Sequence, residues 1–194
     1  MEELIHKIKE SISLTNAAEA HIYSISTEKK IKKGDILIHQ GQVLKKSYFV
    51  KSGCLRSFCV DKEGKEHTLL FAISGWWISD FIAMHNNEEA SQTVECISNA
   101  VVYEFDIEDL QGIFTLYPEL ETFQRKNLER HVVTLYKRVL NQLQLTAGER
   151  YEVFLKQYPD IEQLTPNYHI ASYLGITQQS LSRIRAQKAR KQPY

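Results

Sequence analysis

The fold of this chain is constrained most by the stretch from Leu164 to Lys188, which reads LTPNYHIASYLGITQQSLSRIRAQK. Thr165 can cap a first helix with Pro166 at its first position, where the missing N–H costs nothing. Gly175 can adopt a positive φ in a tight turn, and Thr177 can cap a second helix directly behind it. The apolar residues at helical spacing are Ile170, Ala171, Leu174, Ile176, Leu181 and Ile184. Two short helices that cross at a small residue are predicted, which is a helix-turn-helix unit.

The second helix of this unit leaves a polar face that lacks acidic residues. The predicted DNA-contacting residues are Thr177, Gln178, Gln179, Ser180, Ser182, Arg183, Arg185 and Lys188. Four of these are expected to reach base edges, because recognition helices enter the major groove by their N-terminal residues: Gln178, Gln179, Ser180 and Arg183. Ser182, Arg185 and Lys188 are expected chiefly to hold phosphates. The alternative is an ordinary helical hairpin with a solvated polar face.

Charge is segregated along the chain, although 24 basic and 24 acidic residues give a net charge of zero. The segment from Gln163 to Tyr194 contains no Asp or Glu. Its cations are Arg183, Arg185, Lys188, Arg190 and Lys191. This segment therefore carries +5 and the remainder of the chain −5, and a basic terminus of this kind suits a polyanion such as double-stranded DNA.

Composition indicates a soluble protein. The 194 residues, of which 43% are hydrophobic and 25% charged, suffice for one large domain or two small ones. No run approaches the roughly 18 apolar residues that span a bilayer, and the N-terminal MEELIHKIKESI is a charged amphipathic pattern unlike a signal peptide. A cytoplasmic location without a membrane partner is expected.

Neither the cysteines nor the histidines suggest a metal site. Cys54, Cys59 and Cys96 are odd in number and lack CxxC spacing, so they are interpreted as core or half-buried thiols, with a redox role as the alternative. A cupin-type metalloenzyme would need His and carboxylates clustered on adjacent strands, and the sequence offers no HxH or similar grouping. No catalytic residue and no metal ligand is predicted, and the chain is not expected to be an enzyme.

The first half of the chain combines a helical start with β-type segments. Residues 2–23 place Leu4, Ile5, Ile8 and Ile12 at helical spacing, which predicts one helix or two short ones. From about Glu28 to Phe105, turn signals separate segments rich in β-branched and aromatic residues. These segments read IKK, ILIH, SYFVK, CLRSFCV, HTLLFAI, SQTVECI and AVVYEF. Their spacing predicts an antiparallel β-roll or jelly roll.

A long helix is predicted from Pro118 to about Gln144, with two adjacent apolar stripes. The first stripe is Leu128, Val132, Leu135, Val139 and Leu143, and the second is Val133, Tyr136 and Leu140. One stripe can pack on the chain's own β domain and the other on a symmetry mate, so a parallel homodimer with the first stripe in the interface is expected, with a helix buried inside a monomer as the alternative. Thr146 and Glu149 then form a capping box that starts another helix.

The predicted class is α+β with three parts. Residues 1–117 form the β-roll, residues 118–145 form the long central helix and residues 146–194 form the helix-turn-helix domain.

This order of parts resembles the Crp/Fnr family of bacterial transcription regulators over essentially the whole chain. The most specific similarity lies in ERYEVFLKQYP followed by LTPNYHIASYLGITQQSLSRIR. Weaker support comes from the turn glycines Gly34, Gly41, Gly53, Gly64 and Gly75. The resemblance implies a cyclic-nucleotide-binding-like double-stranded β-helix, a dimerisation helix and a winged-helix-like DNA-binding domain. It also implies a homodimeric DNA-binding regulator, with RNA polymerase as a further candidate partner. The alternative is a cyclic-nucleotide-binding signalling module that acts through protein partners.

The family's nucleotide cassette is degenerate in this sequence. Its Gly-Glu pair, which meets the ribose, corresponds to Ser79 and Asp80, and its Arg-Ser pair, which meets the phosphate, corresponds to Ala90 and Ser91. With Gly75, these residues are the candidate effector site. No Arg or Lys occurs between Lys65 and Arg125 to replace the lost guanidinium, so the chain is not expected to respond to cyclic AMP. Trp76 and Trp77 are interpreted as core-filling residues, with a ligand-stacking role as the alternative.

The resemblance to the Crp/Fnr family also implies two other kinds of effector, an iron–sulfur centre and haem. The region before Cys54 contains no cysteine for an iron–sulfur centre. Haem is left open, because His39, His67, His85 and His131 lie in or near the sensor part. No cofactor is expected, and the identity of the effector is left open.

Overall fold

A computed structural model describes residues 1–191, with side chains up to residue 189. Residues 192–194 and the side chains of Arg190 and Lys191, which belong to the predicted basic terminus, lie outside this description. The elements follow in the order α1 (Glu2–Ser11), α2 (Asn16–Ser24), β1 (Ser26–Ile31), β2 (Ile36–Ile38), β3 (Lys46–Val60), β4 (Glu66–Ala72), β5 (Trp77–Ile78), α3 (Phe81–Asn86), β6 (Thr93–Asp106), α4 (Ile107–Leu116), α5 (Pro118–Gln144), α6 (Ala147–Gln157), α7 (Ile161–Leu164), α8 (Asn167–Leu174) and α9 (Gln178–Lys191).

The strands form one antiparallel sheet in the order β1-β6-β3-β4, with β2 paired to β6 and β5 paired to β3. The predicted segments SYFVK and CLRSFCV are joined in the 15-residue β3, and SQTVECI and AVVYEF are joined in the 14-residue β6. Register shifts near Gly53 bend β3 without ending it. Gly53 has φ +87°, and a Cβ there would lie 2.5 Å from the carbonyl oxygen of Asn99, so only glycine fits this bend. The antiparallel β-roll is confirmed.

The inside of the roll is filled by its own side chains. Its buried residues are Ile38, Tyr48, Val50, Leu55, Ala72, Ile78, Ala90, Val94, Cys96, Ala100 and Val102. Successive residues of a strand point to opposite faces, so side chains such as Tyr48 and Val50 of β3 enter this core, whereas Phe49 between them packs against the helices.

Helices cover one side of the roll. The prediction of two short N-terminal helices is confirmed, and α1, α2, α4 and the start of α5 share a core with Phe49 and Phe105 of the roll. Three helices were not predicted: α3, α4 and α7. The signal for α4 was present, because Ile107, Leu110 and Ile113 stand at helical spacing behind Asp106.

The long helix α5 runs from Pro118 to Gln144 as predicted, with Thr146 and Glu149 in a capping box behind it. Only Leu120 and Phe123 of this helix are buried. The stripe residues are all between 40% and 78% exposed: Leu128, Val132, Val133, Leu135, Tyr136, Val139, Leu140 and Leu143. The expectation that one stripe packs on the chain's own β domain is therefore wrong, and so is the alternative of a helix buried within a monomer. No helix within residues 1–191 has the length and apolarity needed to cross a bilayer.

The C-terminal helices do not form a separate core. Residues of α6 to α9 bury their apolar side chains together with Cys54, Phe71 and Ile97 of the roll. The roll and the helix-turn-helix unit consequently share one hydrophobic cluster, which fixes the position of α9.

Candidate nucleic-acid interface

The helix-turn-helix geometry follows the sequence signals at the turn. Gly175 ends α8 with φ +68°, and the Thr177 Oγ1 accepts a hydrogen bond of 3.1 Å from the backbone N–H of Ser180 at the start of α9. The predicted cap at Thr165 is wrong. Pro166 is the residue that precedes the first turn of α8, and the Thr165 hydroxyl is buried without a partner among the described residues.

The predicted internal face of the unit is confirmed. Ile170, Ala171, Leu174 and Leu181 are buried, and Ile176 and Ile184 pack against them. The two helices therefore meet through the residues that their spacing indicated, and the polar face of α9 is turned away from this core.

The described part of α9 presents an open polar face. Gln178, Gln179, Ser182 and Arg183 are exposed, whereas Ser180 and Lys188 are half-buried. The side chains of Gln178, Gln179 and Arg183 make no hydrogen bond within the described residues. Donors that are already free of protein partners can be turned to base edges without breaking an existing contact.

Arg185 departs from the predicted pattern. Its Nε donates to the hydroxyl of Tyr151 at 2.9 Å, one terminal nitrogen donates to the Asn167 Oδ1 at 2.5 Å, and the other lies 2.6 Å from a carboxylate oxygen of Glu162. The expectation that Arg185 faces outward is wrong. Glu162 stands one residue before the acid-free segment, so a charge count that began at Gln163 missed the partner.

The first helix of the unit is hydrogen-bonded to the edge strand of the roll. The Ser172 hydroxyl donates to the Glu66 carbonyl and accepts from the backbone N–H of Thr68, both at 2.9 Å. Arg138 of α5 donates to the carbonyls of Leu69, Thr68 and Tyr173, and its guanidinium lies 4.1 Å from the Tyr173 ring centre. Strand β4, the long helix and α8 are thus joined at one point.

Aromatic packing reinforces this junction. The ring of Phe71 in β4 lies 5.6 to 5.9 Å from the rings of Phe154, Tyr158 and Tyr173. Burial raises the pKa of the Tyr158 hydroxyl well above its ordinary value. Pairs of this kind contribute roughly 0.5–1.5 kcal/mol each beyond their buried area.

Buried charged and titratable groups line the same contact. The Arg56 side chain is only 1% exposed and pairs with Glu66 and Glu95, each at 2.7 Å. His169 of α8 is 2% exposed, and burial, together with the nearby charges of Arg56 and Lys33, lowers its pKa to about 3. His169 is therefore neutral where it stands. Sequence reasoning missed Arg56, although a lone arginine inside the apolar strand CLRSFCV needs carboxylate partners once it is buried.

In the degenerate cassette, backbone and hydroxyl donors of neighbouring residues bind the carboxylate of Asp80, which is 0% exposed. Its Oδ1 accepts hydrogen bonds from the backbone N–H groups of Ile82 and Ala83, both at 3.1 Å. Its Oδ2 accepts from the N–H and hydroxyl of Ser91, at 2.6 and 2.8 Å, and from the N–H of Gln92 at 3.1 Å. All five donors are uncharged. The backbone groups that could meet an anion are thus already satisfied by the protein's own carboxylate.

Of the other candidate effector residues, Gly75 and Ser79 border a groove between α5 and the roll, whereas Ala90 does not. Ser79 and Ala90 are buried, with Ala90 inside the roll core. Gly75 accepts a hydrogen bond from the Lys7 ammonium on α1 at 2.7 Å. Within the described residues, the hydrogen bonds that link two of the five candidate effector residues are those from Ser91 to the Asp80 carboxylate.

Trp76 and Trp77 fill space between elements. Trp77 packs on Phe49 and Phe105, and Trp76 packs on Tyr158, at ring distances of 5.1 to 5.6 Å. Within residues 1–191, no three His, Cys, Asp or Glu side chains come together as a metal ion would require.

The chain is similar in sequence to one protein family and to several characterised proteins. Residues 28–117 match the cyclic nucleotide-binding domain family. The chain is 23% identical over 172 residues to the "Anaerobic regulatory protein" of Haemophilus influenzae, a match that covers 82% of this chain and 66% of that protein. It is 25% identical over 172 residues to the "Fumarate and nitrate reduction regulatory protein" of Escherichia coli K12, covering 82% and 68%. The chain thus spans about two thirds of the length of the curated relatives it matches.

The fold is shared with solved structures. FixK2 from Bradyrhizobium japonicum superposes with a TM-score of 0.75 at 18% identity, with 86% of each chain covered. At this identity the likeness shows the fold, including the placement of a β-roll, a long helix and a C-terminal helix-turn-helix unit.

Proposed function

We propose that this chain, a homologue of the Fnr and Crp regulators that carries their cyclic nucleotide-binding domain, is a sequence-specific DNA-binding regulator of transcription and acts as a homodimer in the cytoplasm. The observation that supports this best is the open, acid-free face of α9, the second helix of the unit, which Thr177 caps. Gln178, Gln179 and Arg183 on that face have free donors within the described residues. No catalytic role is proposed for any residue.

The kind of DNA contact is proposed to depend on the position of the residue along α9. Gln178, Gln179, Ser180 and Arg183 are proposed to reach base edges, and Ser182 and Lys188 to hold phosphates, with Thr177 as the helix cap. Because Arg185 is bonded to Glu162 and Tyr151, its proposed role is to hold α9 against α6 and α7.

The homodimer is proposed to form along α5. Its apolar stripes are exposed in a single chain, and eight such residues on one helix form a continuous apolar surface that a second copy can cover. Five of the exposed stripe residues do not line the groove between α5 and the roll: Val133, Tyr136, Val139, Leu140 and Leu143. Leu128, Val132 and Leu135 border the groove between α5 and the roll. A two-fold dimer would present two copies of α9 to half-sites about 34 Å apart.

The regulator is proposed not to respond to cyclic AMP. Asp80 occupies the anion-binding groups of the cassette, and the inside of the roll is packed with apolar side chains. The alternative function, a cyclic-nucleotide-binding module that acts through protein partners, would need an open nucleotide site in the described residues. RNA polymerase remains a candidate partner for a regulator of this type.

Selection of DNA from a randomised duplex pool by the full-length protein tests the proposal. We expect two-fold-related sites with half-site centres one helical turn apart. Arg183→Ala should weaken binding to the selected site by about 1–3 kcal/mol and relax the preference at one base step, whereas Lys188→Ala should weaken all sequences alike and reduce the salt slope by about one.

The matched control is Lys62→Ala, which removes an exposed lysine from a turn of the roll and should leave DNA binding unchanged. If no sequence is enriched, or if Arg183→Ala binds the selected site as the parent does, α9 is not the recognition helix.

A further inference from the structure

His169 is a buried histidine in the contact between the helix-turn-helix unit and the roll. Its side chain is 2% exposed, and its Nδ1 is buried without a hydrogen-bond partner among the described residues. It stands on α8, the helix that Ser172 attaches to the backbone of β4. The proposed DNA contacts on α9 do not involve this histidine.

The charges nearest to His169 are positive. Arg56 of β3 and Lys33 of the turn before β2 both disfavour a second cation at this place, and they add to the effect of burial. The other charged side chains at the junction are engaged with partners of their own: Glu66 and Glu95 with Arg56, Arg138 with backbone carbonyls, and Glu162 with Tyr151 and Arg185. A proton on His169 would therefore meet no free carboxylate among the described residues.

The geometry of the contact also admits only the neutral imidazole. A protonated histidine has two N–H donors, and each needs an acceptor. Nδ1 has no acceptor in the described residues, whereas in the neutral ring this atom can remain an unprotonated nitrogen. Burial of a charge without a partner costs far more free energy than burial of a neutral group.

We infer that His169 makes the attachment of the helix-turn-helix unit to the roll sensitive to pH, because the imidazole can take up a proton only after α8 has left β4. Acidification then favours a state in which the roll remains folded and the C-terminal helices are detached from it. In this state water solvates the imidazolium and both of its N–H groups.

The direction of the effect follows from the two states of His169. Its pKa is about 3 in the attached state and returns to about 6.5 once water surrounds the ring. Above pH 6.5 the ring is neutral in both states, so the attachment has its full strength. Between pH 6.5 and pH 3 the detached state binds one more proton, and the equilibrium shifts toward detachment by about tenfold per pH unit.

Two buried cysteines can distinguish detachment from unfolding of the roll. Cys54 is 0% exposed in the hydrophobic cluster that α6 to α9 form with the roll, and Cys96 is 0% exposed in the core inside the roll. Detachment of the C-terminal helices exposes Cys54 and leaves Cys96 covered. Unfolding of the roll exposes both thiols.

Release would also change the proposed regulator, and this consequence alone rests on the proposed function. A two-fold DNA site requires both copies of α9 at a fixed spacing. Detached units lose the fixed position that the shared cluster gives them. The change in attachment itself requires no DNA.

Thiol labelling of the full-length protein tests the inference. The protein is treated with 4,4′-dithiodipyridine at several pH values between 7 and 5, and mass spectrometry of its peptides gives a rate for each cysteine. Each rate is divided by the rate of the same cysteine in urea-unfolded protein at the same pH, which removes the pH dependence of the thiol chemistry. We expect the normalised rate of Cys54 to rise about 25-fold from pH 7 to pH 5, while Cys96 stays protected.

Two variants and a matched control assign the effect to His169. His169→Leu cannot titrate and keeps an apolar side chain in the contact, so its Cys54 rate should change by less than about twofold over the same pH range. His169→Gln is a second variant without a titratable ring, and it keeps the test open if His169→Leu does not fold. His39→Gln removes an exposed histidine of the roll and should label as the parent does.

The inference is overturned if the Cys54 rate of the parent does not rise toward pH 5, or if a folded His169 variant shows the parental rise. Labelling of Cys96 in parallel with Cys54 also overturns it, because the roll itself would then unfold. Selection of DNA at pH 7 is performed on the same protein. Selected DNA together with pH-independent labelling refutes the inference and leaves the proposed function, whereas the expected labelling without selected DNA refutes the function and leaves the pH-sensitive attachment.

Discussion

Replacement of Asp80 by alanine should destabilise the protein strongly, because its carboxylate holds two parts of the roll together. One oxygen caps α3 through the N–H groups of Ile82 and Ala83, and the other accepts three hydrogen bonds from Ser91 and Gln92. The side chain is completely buried. Truncation therefore leaves five donors without an acceptor in the protein interior.

The magnitude follows from these contacts. Loss of a helix cap costs about 1 kcal/mol, and each of the three other donors loses about 1 kcal/mol of net hydrogen-bond free energy. A water molecule can enter the polar cavity and restore part of the lost hydrogen-bond free energy, whereas a buried donor that finds no acceptor costs more. We expect Asp80→Ala to lower the free energy of unfolding by about 3–5 kcal/mol, a large part of the roughly 5–15 kcal/mol of a typical protein. Asp80→Asn keeps one acceptor oxygen but turns its amide N–H₂ toward one donor set, so about 1–3 kcal/mol should be lost.

Equilibrium unfolding in urea, followed by tryptophan fluorescence and far-UV circular dichroism, measures these differences. Asp109→Ala is the control, because Asp109 is an exposed acid in the first turn of α4 and its loss should cost less than about 1 kcal/mol. An Asp80→Ala variant whose unfolding free energy lies within 1 kcal/mol of the parent would refute the view that this carboxylate satisfies the cassette.

Two further predictions concern assembly and ligand response. Val139→Glu places a carboxylate on the proposed dimer surface, so it should shift sedimentation toward monomer and weaken binding to a two-fold DNA site. Lys137→Glu changes the charge of the same helix and serves as the control. A parent protein that sediments as a monomer at micromolar concentration, and stays a monomer on DNA, would contradict the dimer. Calorimetric titration with cyclic AMP should give no micromolar binding, because the cassette lacks the arginine and Asp80 adds a like charge, and each 1.4 kcal/mol lost weakens affinity tenfold. Micromolar heats from cyclic AMP or cyclic GMP would mean that another cation meets the phosphate.

The parts of the fold that depend on local signals could be predicted from the sequence. Gly175, Thr177 and the Thr146–Glu149 pair act within one turn of chain, and the structure has each of them in the predicted role. The alternation of residues along a strand is also a local signal, so the β segments could be predicted. That pairs of these segments join into the long strands β3 and β6 could not be predicted, because the bulge at Gly53 depends on the approach of Ala100 from the neighbouring strand.

Roles that depend on distant partners could not be predicted in the same way. Arg185 was assigned to phosphates because its neighbours in sequence are polar, and only the fold brings Glu162 and Tyr151 to it. Asp80 was assigned to the candidate effector site, but its hydrogen bonds to Ser91 and Gln92 span more than ten residues and satisfy it within the protein. In both cases the side chain bonds within the protein at a position where pattern reasoning expected an external ligand.

The hydrophobic cluster that the roll shares with the helix-turn-helix unit holds α9 in a fixed position relative to the roll. Residues 146–194 were predicted as a separate DNA-binding domain, and that division stays a prediction. Phe71 of the roll nevertheless packs among Phe154, Tyr158 and Tyr173, and Ser172 pairs with the backbone of β4. Apolar surface in such a cluster would meet water if the unit were detached, so the free energy of burial ties α8 to the roll. The face of α9 remains open in this docked position. For the proposed regulator, DNA binding therefore requires no release of the helix-turn-helix unit from the roll.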